Sequence, residues 1–352
     1  MSRLGHPVQI AQWPGKGGCA LSPIRFVIIG FGHIGKRHAA MIERHPEAVL
    51  VATIDPVAPP SPLVYPHFGN WEAFLASGVQ AEVAVVATPN GLHVQHAEQA
   101  LKAGMHVVVE KPMGLTTASV QKLIDLAKER QLQLFPVMQN RYSPPAQWIK
   151  SVVVQGLLGD IYLVQLNCYW NRDARYYLPR GWHGDKMLDG GTLYTQFSHF
   201  IDTLYWLLGG IKTVTGRVYD FNHQQLTDFE DSGLFTFELE KGGAGSLQFS
   251  TSVYDQNFES SITILGSRGT VKLGGQYMES VSYCHIANYS MPELSPTNPG
   301  NDYGAYKGSA ANHQYVIQNV VDVLRNRALV TTTPEEALAV VNMIELLYRT
   351  GS

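Results

Sequence analysis

The chain has 352 residues, of which 45% are hydrophobic, and it carries a formal net charge of -3. A chain of this length exceeds what one core usually organises, so we expect two domains. The lack of a basic excess excludes nucleic acid as the main partner and favours a small molecule. Cys19, Cys168 and Cys284 have no metal-ligand spacing, so we predict no disulfide framework, no metal site and a reducing, cytoplasmic location.

The N-terminal 22 residues contain several glycines and prolines and no continuous hydrophobic region. This pattern predicts a loose extension over residues 1–22 rather than a signal peptide. No apolar run in the chain approaches the roughly 20 residues that a membrane span requires. We therefore predict no membrane partner, and we expect the folded part to begin at residue 23.

Residues 23–143 alternate short apolar runs with segments long enough for helices. The apolar runs are rich in valine and isoleucine, as in parallel strands covered on both faces: IRFVII, VLVATI, VAVVA, HVVV and LQLFPV. Between them lie IGKRHAAMIERH, NWEAFLASG, GLHVQHAEQALKAG and TTASVQKLIDLAKERQ. Strand followed by helix, repeated, predicts an α/β fold with a doubly wound parallel sheet of the Rossmann type.

The motif GFGHIG, residues 30–35, follows the first of these strands and opens a helix, and Asp55 ends the next strand. In a dinucleotide site Gly30 permits the tight turn, Gly32 the approach of pyrophosphate, and Gly35 close packing of helix on strand. The helix N-terminus offers amide donors to the phosphates. Asp55 would bind the ribose diol and repel a 2′-phosphate, which favours NAD over NADP. The alternative is a glycine-rich turn in an ordinary α/β protein.

A second loop, TPNGLH at residues 88–93, follows the strand VAVVA and so lies at the same carboxyl edge of the sheet. His93 in this loop is either part of the nucleotide site or a helix-start residue on a solvated surface. The predicted cofactor-binding residues are Gly30, Phe31, Gly32, His33, Ile34, Gly35, Asp55, Thr88, Pro89, Asn90, His93, Glu110, Lys111 and Gln139.

The strand HVVV delivers Glu110 and Lys111 to this edge, and Pro112 follows and restricts the backbone of the lysine. Partial removal from water would lower the pKa of Lys111, while the charge of Glu110 would raise it. Lys111 is therefore a candidate proton donor beside the cofactor. The alternative is a surface charge at the end of a strand.

Residues 144–352 predict a second domain. The helical segment PPAQWIKSVVVQGLLG precedes the strand DIYLVQLNCYWNR, and the later segments GLFTFELE and GSLQFSTSV alternate apolar and polar residues. Alternation with period two predicts a mostly antiparallel open sheet with one buried face. The helices NHQYVIQNVVDVLRNR and PEEALAVVNMIELLYRT end the chain. The exposed sheet face indicates packing of subunits.

A polar stripe crosses the otherwise apolar segment TLYTQFSHFIDTLYWLLGG. Its members recur at helical spacing: Thr192, Thr195, Gln196, His199, Asp202 and Thr203. A buried helix with one polar stripe usually faces a cleft or another polar surface. Alone, His199 is more often a satisfied core histidine than a base, but the stripe together with the dinucleotide motif favours a base.

Basic residues cluster around the strand and loop before this helix: Arg141, Arg172, Arg175, Arg180 and Lys186. Guanidinium groups bind diphosphates and carboxylates through paired hydrogen bonds, so the cluster is a candidate anion site. The alternative is a set of solvated loop charges.

In order, GFGHIG, TPNGLH, EKP and the pair Gly190 and Gly191 followed by His199 resemble the Gfo/Idh/MocA oxidoreductases over nearly the whole chain after residue 23. The resemblance implies a Rossmann domain, a C-terminal α/β domain with an open sheet, an active site between them and a cis bond before Pro112. It also implies that Lys111 and His199 form the catalytic pair, with NAD as cofactor and a homo-tetramer as the assembly.

One position departs from the family pattern, which often has an aspartate four residues before the histidine, where this chain has Thr195. With NCYWNRDARYY and YKGSAANH, the segment looks like the branch that oxidises C3 of UDP-N-acetylglucosaminuronic acid, the WlbA and WbpB type of dehydrogenase. That branch implies a bound nicotinamide reoxidised by 2-oxoglutarate. The substrate-binding residues would be Lys111, Tyr142, Asn171, Arg172, Thr195, Gln196, His199, Asn312 and His313.

Three other functions share this architecture. An NAD-dependent glycosidase oxidises C3 transiently and would show net hydrolysis of a glycoside. Another sugar or polyol dehydrogenase of the family would differ only in substrate. A regulatory sensor that kept the dinucleotide site would be expected to lose Lys111 or His199, and this chain retains both.

Overall fold

The computed structural model describes residues 22–178, 181–304 and 306–351. Almost all of the predicted N-terminal extension, and Arg180, lie outside the described residues. The helices are α1 His33–Arg44, α2 Trp71–Ala76, α3 His93–Lys102, α4 Thr117–Glu129, α5 Pro144–Val154, α6 Ala174–Tyr177, α7 Ser198–Leu208, α8 His313–Leu324 and α9 Pro334–Gly351.

Six strands form the first sheet: β1 Ile24–Ile29, β2 Ala48–Ile54, β3 His67–Phe68, β4 Val83–Val86, β5 His106–Val109 and β6 Leu134–Pro136. All pairs are parallel, in the order β3-β2-β1-β4-β5-β6. Helices α3 and α4 cover one face, and α1 and α8 cover the other. Every residue of β4 is therefore buried, and the prediction of a doubly wound parallel sheet is confirmed.

Seven strands form the second sheet: β7 Ile161–Tyr169, β8 Ile211–Tyr219, β9 Ser232–Leu239, β10 Ala244–Ser250, β11 Glu259–Gly266, β12 Gly269–Gly274 and β13 Ser280–Ile286. Their order is β13-β12-β11-β7-β10-β9-β8, and only β7 and β10 pair in parallel. The predicted alternation holds, since Leu247 and Phe249 point into the core. A mostly antiparallel second sheet is thus confirmed.

The two faces of the second sheet differ. The inner face packs in one hydrophobic core with α5, α7 and α9, and this core continues to the first sheet. The outer face leaves large apolar side chains exposed: Leu163 at 52%, Leu234 at 52% and Leu265 at 37%. Exposed apolar side chains on one open face are typical of a surface that another protein covers.

Helix α8 returns from the end of the chain to the first sheet. It packs on α1 in a core that includes Phe26, Ile28, Val316 and Val320. The two-stranded sheet β14 Gly300–Asp302 and β15 Lys307–Ala310 precedes it. The predicted domain division at residue 143 stays a prediction. Among the described residues, no helix combines the length and apolar character that crossing a membrane requires.

The strand order places a crevice at the carboxyl ends of β1 and β4, where the connections leave the sheet in opposite directions. Ligands of open α/β sheets bind in this crevice. Helix α7 and the turn before it reach the same crevice from the second sheet, since Thr195 contacts both Asn90 and Lys111.

Candidate active site

The glycines of the first turn are required for different reasons. Gly30 has φ 91°, and a Cβ there would lie 2.5 Å from the carbonyl oxygen of Ala87. A Cβ on Gly35 would collide with the carbonyl of Gly30. Gly32 has an ordinary φ, and no atom lies within 4 Å of where its Cβ would be. The open space at Gly32 therefore has no structural explanation within the described residues, and it fits a bound pyrophosphate.

The start of α1 also fits a dinucleotide. Gly32 is its N-cap and contributes no side-chain hydrogen bond, so the first backbone amides of the helix are available to phosphate oxygens. Asp55 lies beside the turn, where its Oδ2 accepts a hydrogen bond from the Phe31 amide at 2.6 Å. The carboxylate is only half-buried, which leaves it accessible to a ribose diol. His33 is exposed and stacks on Tyr303, and Ile34 is half-buried.

His93 connects the TPNGLH loop to the lysine-proline peptide. Its Nδ1 lies 2.7 Å from the carbonyl oxygen of Pro112 and its Nε2 lies 2.8 Å from that of Thr88. The ring is 1% exposed, so the alternative of a solvated helix-start residue is wrong. Burial lowers the pKa of His93. The histidine therefore holds the backbone on either side of the nucleotide crevice.

Asn90 connects the two halves of the site. Its Nδ2 donates to the backbone oxygen of Asp189 at 2.8 Å and to Thr195 Oγ1 at 2.6 Å. Pro89 precedes it as the N-cap of a 3₁₀ turn, Asn90–Leu92. The next residue, Gly91, donates its amide to the Leu188 carbonyl at 2.9 Å. The nucleotide loop and the segment before α7 are thus joined backbone to backbone.

Lys111 points into the crevice. Its Nζ donates to the backbone oxygen of Thr195 at 2.5 Å, and the bond to Pro112 is cis, as the resemblance implied. Burial lowers the pKa of Lys111 to about 8, although the negative charges of Glu110 and Asp189 oppose the shift. The alternative of a surface charge at a strand end is wrong.

Glu110 lies beneath the lysine in a buried cluster with two histidines. Its Oε1 is 2.8 Å from His38 Nε2 and 3.5 Å from His313 Nε2. Burial opposes its charge, but the contacts with His313 and His38 hold the pKa of Glu110 well below its usual range. The three ligand atoms are close enough to hold a metal ion. The 2.8 Å hydrogen bond accounts for the pairing of Glu110 with His38, and the absence of a metal stays a prediction.

His199 lies in the first turn of α7 and is buried. Its Nε2 is 3.3 Å from Gln139 Nε2, and its Nδ1 has no hydrogen-bond partner among the described residues. Burial, followed by the nearby charge of Lys111, holds the pKa of His199 well below its usual range. The imidazole is therefore neutral at physiological pH, which is the state that a general base requires.

The predicted polar stripe divides into two groups. A π-helical turn, Leu193–Phe197, precedes α7 and inserts an extra residue into the helical path. Thr195, Gln196 and His199 face the site, whereas Thr192 hydrogen-bonds to Glu230, Asp202 pairs with Arg141 and the Thr203 hydroxyl bonds to the carbonyl one turn earlier. Of the two surroundings expected for the stripe, the first three residues meet the cleft and the last three meet other polar groups of the protein.

Arg172 is enclosed beside Lys111 and is 1% exposed. Its donors reach neutral acceptors: Gln196 Oε1 at 2.7 Å, Asn257 Oδ1 at 3.0 Å, and the backbone oxygens of Asn171 and Lys307 at 2.6 and 3.1 Å. The rings of Trp170, Tyr176 and Tyr306 surround the guanidinium. Burial lowers the pKa of Arg172. Within the described chain no carboxylate pairs with this buried cation.

The other predicted substrate residues have varied surroundings. Asn171 bonds to Val253 and is part of a bridge to Ser252. Asn312 donates to the Gln139 carbonyl at 3.2 Å and directly precedes His313 of the Glu110 cluster. Tyr142 stacks on Tyr315 of α8, so the structure does not bring its ring to Lys111.

The remaining basic residues have structural partners or face solvent. Arg141 is fully buried between Asp202 and Glu336, at 2.6 and 2.9 Å. Arg175 is exposed and pairs with Asp173 and Asp255. Lys186 is exposed. The expectation that this cluster forms one anion site is therefore wrong for Arg141, Arg175 and Lys186, while Arg172 stays at the site.

Sequence reasoning missed one acidic residue of the site, Asp189. It is buried; its Oδ1 accepts a hydrogen bond from the Thr195 hydroxyl and its Oδ2 accepts from the Gly184 amide at 2.9 Å. Burial raises the pKa of Asp189 to about 6. Its position directly before the pair Gly190 and Gly191 was the available signal.

Comparison with known families matches both halves of the chain. The profile described as "Oxidoreductase family, NAD-binding Rossmann fold" (GFO_IDH_MocA) matches residues 24–137, and the GFO/IDH/MocA C-terminal domain matches residues 146–272. Among solved structures, the chain is similar to the WlbA dehydrogenase from Bordetella pertussis in complex with NADH and UDP-GlcNAcA. The TM-score is 0.82, the identity is 31%, and the alignment covers 93% of this chain and 96% of that one.

Two curated relatives act on a sugar and a polyol. D-glucoside 3-dehydrogenase from Escherichia coli strain K12 is 26% identical over 66% of this chain and 69% of its own length. The scyllo-inositol 2-dehydrogenase (NADP(+)) IolW from Bacillus subtilis strain 168 is 28% identical over 75% of each chain.

Proposed function

The chain belongs to the Gfo/Idh/MocA family and is an NAD-dependent oxidoreductase of a sugar or polyol, and from this premise we propose that it oxidises the C3 hydroxyl of a UDP-sugar to the 3-keto sugar. The proposed substrate is UDP-N-acetylglucosaminuronic acid. The observation that carries this proposal is the likeness, over 93% of the chain, to a dehydrogenase solved with that nucleotide sugar and NADH.

The proposed chemistry divides the hydroxyl hydrogen and the C3 hydrogen between two acceptors. Bound NAD supplies the acceptor for the hydride that leaves C3. The neutral imidazole of His199 takes the proton of the hydroxyl group. The ammonium group of Lys111 holds the same oxygen and stabilises its developing negative charge. Neither residue forms a covalent bond to the sugar.

Arg172 is the proposed recognition element for the acidic sugar. Its buried charge lies close enough to Lys111 to lower the pKa of that lysine. An unpaired buried cation is costly unless an anion binds beside it, and the uronate carboxylate would be such an anion. Gln196 bridges Arg172 and Tyr176, which orients the guanidinium. The proposed substrate site is completed by Thr195, Asn171, Asn312 and His313. Tyr142 stacks on Tyr315 instead, which argues against contact between Tyr142 and the substrate.

The cofactor-binding proposal assigns the pyrophosphate to Gly30, Gly32 and the start of α1, with the ribose at Asp55. Thr88, Asn90, Glu110 and Gln139 line the crevice towards the nicotinamide. We further assign reoxidation of the bound cofactor to 2-oxoglutarate. This second half-reaction would return the enzyme to its starting state without cofactor release.

A homo-tetramer and a cytoplasmic location belong to the same proposal. The outer face of the second sheet exposes Leu163, Leu234 and Leu265, and a second copy of the chain would cover these side chains. Cys168 and Cys284 both carry free thiols, as is usual in a reducing compartment.

Mass spectrometry tests the activity directly. Purified enzyme is incubated with UDP-N-acetylglucosaminuronic acid, with and without 2-oxoglutarate, and the loss of two mass units in the sugar is followed. UDP-N-acetylglucosamine, which has an alcohol at C6, is the matched control for recognition of the carboxylate. No 3-keto product from the acidic sugar under either condition would contradict the proposal. Net hydrolysis of a glycoside would instead favour the glycosidase alternative.

A further inference from the structure

Asp189 is a buried carboxylate, and the sequence around it does not explain why it is buried. It lies in the segment before the π-helical turn, and it is 1% exposed. Nothing in a turn before a helix requires a buried carboxylate, because burying a charge is costly unless the charge is used. The surroundings of this carboxylate indicate what it does.

Thr195 links Asp189 to Lys111. The threonine hydroxyl donates to Asp189 Oδ1 and accepts a hydrogen bond from Asn90 Nδ2 at 2.6 Å, so both its roles are filled. The backbone oxygen of the same threonine accepts the hydrogen bond from Lys111 Nζ at 2.5 Å. One residue therefore orients the carboxylate and anchors the ammonium group. Asp189 thus brings a carboxylate to Thr195 from outside the helix.

We propose that Asp189 is a positioning residue that, through Thr195, supplies the negative charge that keeps Lys111 protonated during the reaction. This inference rests on the proposed function, since it assigns a partner to the lysine of the same site. Asp189 does not touch the substrate in this scheme. Its carboxylate acts on the ammonium group, and the ammonium group acts on the sugar oxygen.

The charges around Lys111 come from several elements. Glu110 at the end of β5 and Asp189 before the π turn favour the ammonium form, and Arg172 after β7 opposes it. Burial lowers the pKa of both His199 on α7 and His93 on α3. Glu110 also lies 2.8 Å from His38 Nε2 and 3.5 Å from His313 Nε2, so its carboxylate is shared among several neighbours. Asp189 is the carboxylate near Lys111 that has no cationic side chain bonded to it among the described residues.

The pH dependence of kcat/KM tests the role of Asp189. The proposed reaction needs protonated Lys111, so activity falls as the pH rises through the pKa of the lysine. Replacement Asp189→Asn removes the favourable charge and lowers that pKa, which moves the alkaline limb to lower pH by about one unit. Asp160→Asn, an exposed carboxylate at the start of β7, is the matched control and leaves the limb unchanged. A purely structural Asp189 would lower activity at every pH without moving the limb.

Two further variants keep the test decisive if Asp189→Asn folds poorly. Thr195→Val removes the hydroxyl that orients Asp189 and is expected to shift the limb in the same direction, whereas Thr195→Ser retains it. The double variant Asp189→Asn with Thr195→Asp moves the carboxylate into the helix and is expected to restore the limb. An unmoved limb in Thr195→Val and Asp189→Asn would overturn the proposal.

A second measurement separates this proposal from the proposed substrate. Competitive labelling of the amine with acetic anhydride, followed by peptide mass spectrometry, gives the pKa of Lys111 in the whole enzyme without any sugar. A lower pKa in Asp189→Asn than in the unmodified enzyme supports the positioning role even if UDP-N-acetylglucosaminuronic acid proves not to be the substrate. An equal pKa overturns that role even if the proposed oxidation is observed.

Discussion

The side-chain nitrogen of Lys111 lies 2.5 Å from the backbone oxygen of Thr195, one helical turn before His199. This hydrogen bond holds a lysine from the end of the first sheet against the helix that carries the histidine. The two groups come from residues 88 positions apart in the sequence, yet the pKa of the histidine responds to the charge of the lysine.

Replacement Lys111→Ala should reduce kcat by about 10²- to 10⁴-fold, which is the range for loss of a positioned proton donor or acceptor. The binding of NADH should change little, because the phosphate-binding turn lies at β1. Steady-state kinetics and NADH fluorescence titration check the two expectations. Lys102→Ala, an exposed lysine of α3 paired with Glu98, is the matched control. Full activity in Lys111→Ala would exclude the assigned role.

The pH profile of kcat/KM should have its alkaline limb near pH 8, since burial lowers the pKa of Lys111 to about 8 and the reaction uses its charged form. The acid limb should lie well below pH 6.5, because burial lowers the pKa of His199 and the reaction uses its neutral form. Activity is therefore expected between these limbs. Rates measured in constant-ionic-strength buffers from pH 5 to 10 check this; an alkaline limb near the ordinary lysine pKa of about 10.4 would contradict it.

The replacements Gly30→Ala and Gly32→Ala should impair different properties of the protein. Gly30→Ala places a Cβ 2.5 Å from the Ala87 oxygen at a positive φ, so we expect a large loss of thermal stability. Gly32→Ala meets no atom within 4 Å, so it should fold normally but weaken NADH binding at least tenfold. Gly69→Ala, also in open space, is the control. Thermal unfolding and NADH titration distinguish them; unchanged NADH affinity in Gly32→Ala would place the pyrophosphate elsewhere.

The replacement Asp55→Asn should change the choice of cofactor. The amide oxygen can still accept the hydrogen bond from the Phe31 amide, whereas the amide nitrogen cannot accept the one from the Val57 amide, and the charge that repels a 2′-phosphate is lost. We expect NADPH to bind about tenfold more tightly than to the unmodified enzyme, a gain of about 1.4 kcal/mol, while NADH binds somewhat more weakly. Parallel titrations with the two reduced cofactors measure this, and an unchanged preference would show that Asp55 does not meet the ribose.

The replacement Asp202→Asn should destabilise the fold by about 3 kcal/mol, because it leaves the buried guanidinium of Arg141 with only the partly exposed Glu336 as a charged partner. The matched control is Arg175→Met, which breaks the exposed pairs with Asp173 and Asp255 and should cost far less stability because solvent screens these charges. Denaturant unfolding gives both values. Equal costs would mean that burial does not set the strength of these pairs.

The first sheet could be predicted closely from the sequence because its strands are continuous and apolar. The runs IRFVII and HVVV match β1 and β5 residue for residue. Strand β3 was missed because its two residues, His67 and Phe68, are too few to show any periodicity. The glycine turn and the ends of β4 and β5 were located correctly because parallel strands deliver their carboxyl ends to one edge.

The part of the site that comes from α7 and the segment before it was less predictable, because the residues that it contacts are distant in sequence. Helical spacing places His199, Asp202 and Thr203 on one face of α7, but Asp202 and Thr203 lie further along the helix, where they meet Arg141 and the His199 carbonyl instead of the site. Tyr142 lies next to the site in sequence, yet its ring turned towards α8. The carboxylate of Asp189 reaches the site because the segment Gly184–Gly191 docks on the TPNGLH loop, and neither composition nor spacing encodes that contact.

The contact between Gly91 and the segment before α7 constrains how members of such a family can be recombined. The Gly91 amide donates to the Leu188 carbonyl, and a Cβ at residue 91 would collide with the carbonyl of Met187. A chimera that joins the nucleotide unit of one enzyme to the substrate unit of another must therefore keep glycine at this junction, or the loop that carries Asp189 will move. In this chain the nucleotide loop and the segment that carries Asp189 therefore form one backbone unit, and we expect an exchange of either segment to succeed only when the other is exchanged with it.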